Sequence, residues 1–145
     1  MAVDRSGNLV VVGAFDGVMD LGGVTLSSAP RDYSYAASLS YTEGAYDAAT
    51  FAAQYDGLHS LDVFVAKFDP SGHVLFAKAF GDAGGQFATS VALDAAGDLY
   101  LTGNYESTIN FGGGDTLTTG VPLTPYFGPA YDAFVAELDA QGRYV

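Results

Sequence analysis

The chain repeats itself, and the repeat limits what it can fold into. Residues 2–23 align without a gap onto 92–113, a constant 90 positions later. Asp4, Gly7, Leu9, Gly13, Gly22 and Gly23 recur there as Asp94, Gly97, Leu99, Gly103, Gly112 and Gly113. A second block, 62–75, aligns onto 132–145 at an offset of 70, keeping Asp62, Phe64, Val65, Ala66, Asp69 and Gly72. Self-similarity at this scale implies a repeat architecture, in which each unit buries its apolar faces against the next.

The repeated blocks share a punctuation mark. Asp4-Arg-Ser-Gly7, Asp69-Pro-Ser-Gly72, Asp94-Ala-Ala-Gly97 and Asp139-Ala-Gln-Gly142 each have the form Asp-x-x-Gly beside apolar residues. A leading Asp bonds the backbone ahead of it, and Gly takes the left-handed conformation that closes a turn. Each motif therefore predicts a tight β-hairpin. The flanking strands, rich in Val, Leu, Phe and Tyr, have β propensity. In 62–69, Val63 and Val65 point one way while Phe64, Ala66 and Phe68 point the other. Strands that are apolar on both faces, without helical crossovers, predict small antiparallel sheets stacked on each other.

Between residues 62 and 105 lie four such strands, at 63–68, 74–80, 89–93 and 99–105, with the glycine-rich 81–86 as the middle turn. Four short antiparallel strands per repeat is the pattern of a β-propeller blade. The expected fold is all-β: a partial propeller with one complete blade flanked by half-blades. In this reading 1–30 is a half-blade holding the last two strands of a preceding blade and its outgoing hairpin. Residues 31–61 are an aromatic insertion, with a short helix expected in the Ala-rich 45–55. Residues 62–113 are the full blade with its outgoing hairpin, 114–131 a loop, and 132–145 the first two strands of a following blade. Propellers use about four to eight blades, so neighbouring blades are expected from a longer chain or from further copies of this one.

Composition narrows the partners. Nearly half of the 145 residues are hydrophobic (49%) and 15% are charged, which argues against general disorder. The formal net charge of −12 makes nucleic acid a poor partner, because its phosphates are bound through Lys and Arg. There is no cysteine, hence no disulfide and no thiolate metal site. The opening residues carry no signal-peptide pattern, and the apolar run 9–12 is too short to span a bilayer, so no membrane insertion is expected.

These residues resemble a known family. The segment 62–78, then Phe80-Gly81, then Val91-Ala-Leu-Asp-Ala-Ala-Gly-Asp-Leu-Tyr-Leu-Thr-Gly103, is similar to bacterial β-propeller repeats of the SBBP type. Ile109-Asn-Phe-Gly-Gly113 and Met19-Asp-Leu-Gly-Gly23 look like the family's Asp-Phe-Gly-Gly ending. The resemblance covers about 1–30, 62–120 and 132–145. Phe76 stands where the family often has Trp, which keeps an aromatic packing residue. The resemblance implies large, many-bladed bacterial proteins, often secreted or attached to the cell surface. It implies no catalytic residues.

Few residues point to chemistry. Asp4, Asp69, Asp94 and Asp139 are of a type that suits calcium, but no turn holds three oxygen side chains at alternate positions closed by Glu. No cofactor is expected. The 81–86 loop lacks the Gly-Lys-Ser/Thr of a phosphate cradle. His59 beside Ser60 is the one imidazole–hydroxyl neighbour pair, and His73 is replaced by Arg143 in the second copy, as a surface position allows. The candidate ligand-binding residues are tyrosines of the two unmatched stretches: Tyr33, Tyr35, Tyr41, Tyr46, Tyr55 and Tyr126. Tyrosine stacks on sugar rings and packs on protein partners, so a glycan or a protein is the expected partner, with end-capping as the competing role. The favoured reading is a non-catalytic scaffold or binding module. The alternative is part of a polysaccharide-active hydrolase or lyase, which would use acids such as Asp47 and Asp56.

Overall fold

The computed structural model describes residues 1–30, 60–82, 84–119 and 131–145. The described residues are all-β and antiparallel. Eleven strands follow in order: β1 (Ala2–Val3), β2 (Leu9–Phe15), β3 (Val18–Asp20), β4 (Thr25–Ser27), β5 (Asp62–Phe68), β6 (Val74–Phe80), β7 (Gln86–Leu93), β8 (Leu99–Tyr105), β9 (Thr108–Asn110), β10 (Thr116–Thr118) and β11 (Asp132–Leu138).

The hairpins β5–β6 and β7–β8 form as the turns predict, but they do not share a sheet. One four-stranded sheet runs β1-β2-β5-β6, and a second runs β11-β8-β7. The expected blade over 62–105 is therefore divided between two sheets. Residues 1–15 complete the sheet of β5–β6 rather than ending a preceding blade. Residues 132–145 complete the sheet of β7–β8 rather than starting a following one. The 81–86 connection is a crossover between sheets, not a hairpin within one. The two alignments establish which blocks are equivalent but not where a unit begins. Pairing settles that: β2 reaches β5 with Val12 opposite Val65, and β8 reaches β11 with Thr102 opposite Val135. The sheets thus belong to two copies of one unit, 1–80 and 86–145. Two further hairpins, β3–β4 and β9–β10, lie between the halves of each unit. Strand β10 occupies 116–118, inside the stretch expected as loop.

The non-local pairings are keyed by an aromatic laid over a glycine. Phe64 is opposite Gly13, and Phe134 is opposite Gly103. A Cβ at Gly13 would lie 2.8 Å from the Phe64 ring; one at Gly103 would lie 2.7 Å from the Phe134 ring and 1.9 Å from the Phe87 carbonyl oxygen. Both repeated glycines leave room for the repeated phenylalanine.

Strand β7 lies across β1, β2 and β5, so the second sheet stacks on the first. The core between them takes Val10, Val63, Val65 and Phe80 from the first sheet and Val91, Leu99, Leu101, Phe134, Ala136 and Leu138 from the second. Phe111 completes it, its ring centroid 5.2 Å from Phe80, 5.1 Å from Phe134 and 6.3 Å from Tyr144. Repeat equivalence makes Val10 the counterpart of Tyr100, and Phe64 that of Phe134. The first sheet therefore buries one face at this junction, and the second sheet buries the opposite face. The stacking is head-to-tail.

The four Asp-x-x-Gly turns share one geometry. Each aspartate Oδ1 accepts the N–H two residues on and the N–H four residues on, at 2.8–2.9 Å. Each glycine is left-handed, with φ between 75° and 91°. Oδ2 of Asp4, Asp69 and Asp139 meets the side chain at the fourth position: Asn8 at 2.8 Å, His73 at 3.0 Å, Arg143 at 2.6 Å. Asp4 also holds the ammonium of Lys67 at 3.0 Å, with the lysine side chain only 8% exposed. These donors hold all three carboxyls below the usual carboxylate range: Asn8 foremost at Asp4, the His73 N–H at Asp69, and the Arg143 N–H at Asp139.

In urea unfolding, Gly103→Ala should lose about 3 kcal/mol, because its Cβ meets fixed backbone. Gly13→Ala should lose less, because the Phe64 ring can give way. The carboxyls, depressed in the fold, stabilise it fully above the unfolded Asp pKa of about 3.9, and that stability is lost as pH falls through the folded values. The melting temperature should hold between pH 7 and 5 and fall below about 4. The triple variant Asp4→Asn/Asp69→Asn/Asp139→Asn should melt lower at pH 7 and depend less steeply on acid.

Candidate functional site

Two places gather side chains with chemistry: a buried polar junction between the units and the outer face of the second sheet. The junction is built where β4, β5, β6, β7 and β9 converge. Ser60 and Gln86 are fully buried, and Asp62 is nearly so. Asp62 Oδ2 accepts the Ala29 N–H at 2.9 Å, and its Oδ1 lies 3.1 Å from the Ser60 hydroxyl. That hydroxyl also lies 3.1 Å from the Ala29 carbonyl and against the Asp82 carbonyl, so one proton faces three acceptors. Gly81 passes so close that a Cβ there would fall 2.3 Å from the Asp62 carboxyl carbon.

Gln86 carries the link into the second unit. Its backbone N–H donates to the Leu61 carbonyl at 2.7 Å. Its side-chain amide donates to Asp82 Oδ1 at 2.6 Å and to the Thr108 carbonyl at 3.1 Å, and its amide oxygen accepts the Asp82 N–H at 3.4 Å. Asp82 Oδ1 also takes the Gly84 N–H at 2.8 Å. Buried polar atoms need such partners, and here the amide has all of its own. The arrangement ties the units together and leaves Gln86 no spare donor for a ligand. Gln86→Ala should cost about 2 kcal/mol in denaturant unfolding, since it removes a fully buried amide together with its bonds to the half-buried Thr108 and Asp82.

The outer face of the second sheet is different. Along β8 burial alternates strictly: Leu99, Leu101, Gly103 and Tyr105 inside, Tyr100, Thr102 and Asn104 outside. On β11, Ala133 and Val135 face outward, with Val135 74% exposed. Tyr131, just before β11, is 44% exposed and meets the Phe87 ring edge-on at 5.8 Å. The Tyr100 hydroxyl donates to Glu137 Oε1 at 3.0 Å, and that bond raises its pKa above the ordinary tyrosine value. The equivalent face of the first sheet carries Val10, Val12, Ala14 and Val63 where the second has Tyr100, Thr102, Asn104 and Ala133. One unit thus keeps two apolar faces, while its sister has turned one face polar and aromatic.

Tyr33, Tyr35, Tyr41, Tyr46, Tyr55 and Tyr126 lie outside the described residues, as do His59, Asp47, Asp56 and the Ala-rich 45–55. His73 is exposed beside Asp69, as its exchange with Arg143 implies. Among the described residues no three His, Cys, Asp or Glu side chains are grouped to hold a metal ion. No described helix is long and apolar enough to cross a membrane. Ser107 has φ 66°, a left-handed conformation that its counterpart Gly17 adopts at 72°. Ser107→Gly should therefore raise the unfolding free energy in urea slightly, by up to about 1 kcal/mol, by relieving backbone strain.

Sequence reasoning missed the exposed Tyr100 and the half-buried Phe87. The readable signal was the apolar–polar alternation of 99–105, which 62–68 lacks. No protein-family model matches the chain, and no curated protein and no solved structure matches it.

Proposed function

We propose that this chain is a non-catalytic β-repeat module, a scaffold or binding surface within a larger bacterial protein of the β-propeller type. The observation that carries the reading is the head-to-tail stacking of two equivalent sheets. A heterologous interface of this kind propagates, so further units add to it without a new kind of contact. Such neighbours would come from a longer chain or from other copies, on a protein that is secreted or held at the cell surface.

A rigid stack presents its connections for recognition. Stretches 31–61 and 114–131 interrupt the repeat and carry its unmatched tyrosines, so they are the proposed contact surface for a protein or a glycan. The competing hydrolase or lyase needs carboxylates poised to exchange protons. The acids of the four turns and of the junction are instead bonded to backbone N–H groups and neighbouring side chains.

The reading is tested by the variant Tyr41→Ala/Tyr46→Ala on a polysaccharide array and in partner capture. Loss of binding at an unchanged melting temperature is the expected outcome. A lowered melting temperature with retained binding would assign these tyrosines to packing and refute their recognition role.

A further inference from the structure

Units of this fold add face to face and strands add edge to edge, so neither direction of growth covers the two ends of the strands. Those ends differ in charge. The Asp-x-x-Gly end holds Arg5, Lys67 and Arg143 beside its acids. At the opposite end β2, β6 and β8 finish while β5, β7 and β11 begin. It holds Asp16, Asp62, Asp82, Glu106 and Asp132, with no Lys or Arg there among the described residues.

At this acidic end the second unit has a notch over Gly85. A Cβ placed on Gly85 would lie 3.5 Å from Phe87 Cε2, 3.5 Å from the Tyr131 hydroxyl and 3.6 Å from Glu106 Oε2. An aromatic edge, a phenol oxygen and a carboxylate therefore converge on one point, with room for an atom in ordinary contact with all three. The Glu106 N–H donates to the Gly85 carbonyl at 2.8 Å, which fixes one wall against the floor. The Phe87 and Tyr131 rings meet at 62° with centroids 5.8 Å apart. Rings so tilted make no flat platform for a sugar, whereas a cation needs only one ring beside a counter-charge.

The first unit shows that stacking does not close this position. Leu61 and Asp16 stand there in the places of Tyr131 and Glu106. That unit has its neighbour stacked on it, yet Asp16 is exposed and Leu61 half-buried. Only the second unit furnishes the place with an aromatic ring and the longer acid.

We propose that the notch of Phe87, Tyr131 and Glu106 over Gly85 receives the ammonium of a lysine from a basic segment of a partner protein. Glu106 Oε2 supplies the counter-charge, the Tyr131 oxygen an acceptor and the rings a cation–π attraction. The acid-only end of the strands steers such a segment in. The proposal rests on the reading of the chain as a binding module and names the chemistry of its partner.

The test is fluorescein-labelled hexalysine, titrated into the full chain and followed by fluorescence anisotropy. Saturable binding is expected, weakened about fivefold or more by Glu106→Gln and by Tyr131→Leu, a residue the sister unit already carries. Asp16→Asn removes the same charge from the counterpart position and should change affinity by less than about twofold. Equal weakening by Glu106→Gln and Asp16→Asn would mean diffuse attraction to the acidic end and overturns the proposal, as does absence of binding. Displacement of hexalysine by neutral cellohexaose would make the notch a glycan site and overturns it too. Should Tyr131→Leu fail to fold, Glu106→Gln and its Asp16→Asn control decide alone. The Tyr41→Ala/Tyr46→Ala variant should bind hexalysine unchanged; weakening there that matches Glu106→Gln would move the contact to the loop surface and refute the notch. Glycan or partner capture by the unaltered chain without hexalysine binding refutes this site alone and leaves the wider reading in place.

Discussion

Everything in this fold hangs on two strand pairings made across long connections. Strand β2 must find β5 over the intervening 16–61, and β8 must find β11 over 106–131. Closing such loops costs entropy that grows only slowly with length, so the longer connection is tolerated. What must be specified is register, since a slip by one residue turns each side chain to the wrong face. A phenylalanine lying over a glycine specifies it, Phe64 on Gly13 and Phe134 on Gly103. The ring needs the space that only glycine leaves, and no neighbouring register offers the same pair.

The turns show how two copies diverge without losing the joint. In the second unit the Ala140 N–H donates to Asp98 Oδ1 at 2.9 Å, linking the β7–β8 turn to the turn after β11. In the first unit the same place holds Pro70, which has no N–H, and the facing residue is Asn8 rather than Asp. Asn8 is then free to bond Asp4, which in turn neutralises the buried Lys67. Glu137 replaces that lysine in the second unit and accepts from Tyr100 instead. A change at one position is matched at its contact, which keeps the packed turns while reassigning the surface.

Much of this was legible in the residues. The Asp-x-x-Gly motifs give the hairpins, and the offsets of 90 and 70 give the equivalence of the blocks. The grouping of strands was not legible, because adjacent hairpins in sequence look like neighbours in space. Only the long-range β2–β5 and β8–β11 pairings reveal that 81–86 crosses between sheets. Gln86 illustrates the difficulty: in a glycine-rich loop it reads as turn chemistry, yet it is a fully buried bracket between units. The outer face of the second sheet was legible in part. Tyr100 and Thr102 alternate with Leu99 and Leu101, but which side is wet follows only from what stacks on the other.

The β8–β11 pairing is also the simplest feature to test directly. Thr102 and Val135 form a pair whose main-chain groups point away from each other, with Cα atoms expected about 4.5 Å apart, within disulfide reach. The chain has no cysteine of its own, so Thr102→Cys/Val135→Cys introduces one defined pair. Under mild oxidation the two-sheet arrangement predicts a near-complete intramolecular disulfide, read by mass spectrometry of the peptide digest, with the far-ultraviolet circular dichroism of a β protein unchanged. Free thiols, or only intermolecular crosslinks, in a chain with that same spectrum would show that β11 does not lie beside β8 and would contradict the two-unit fold.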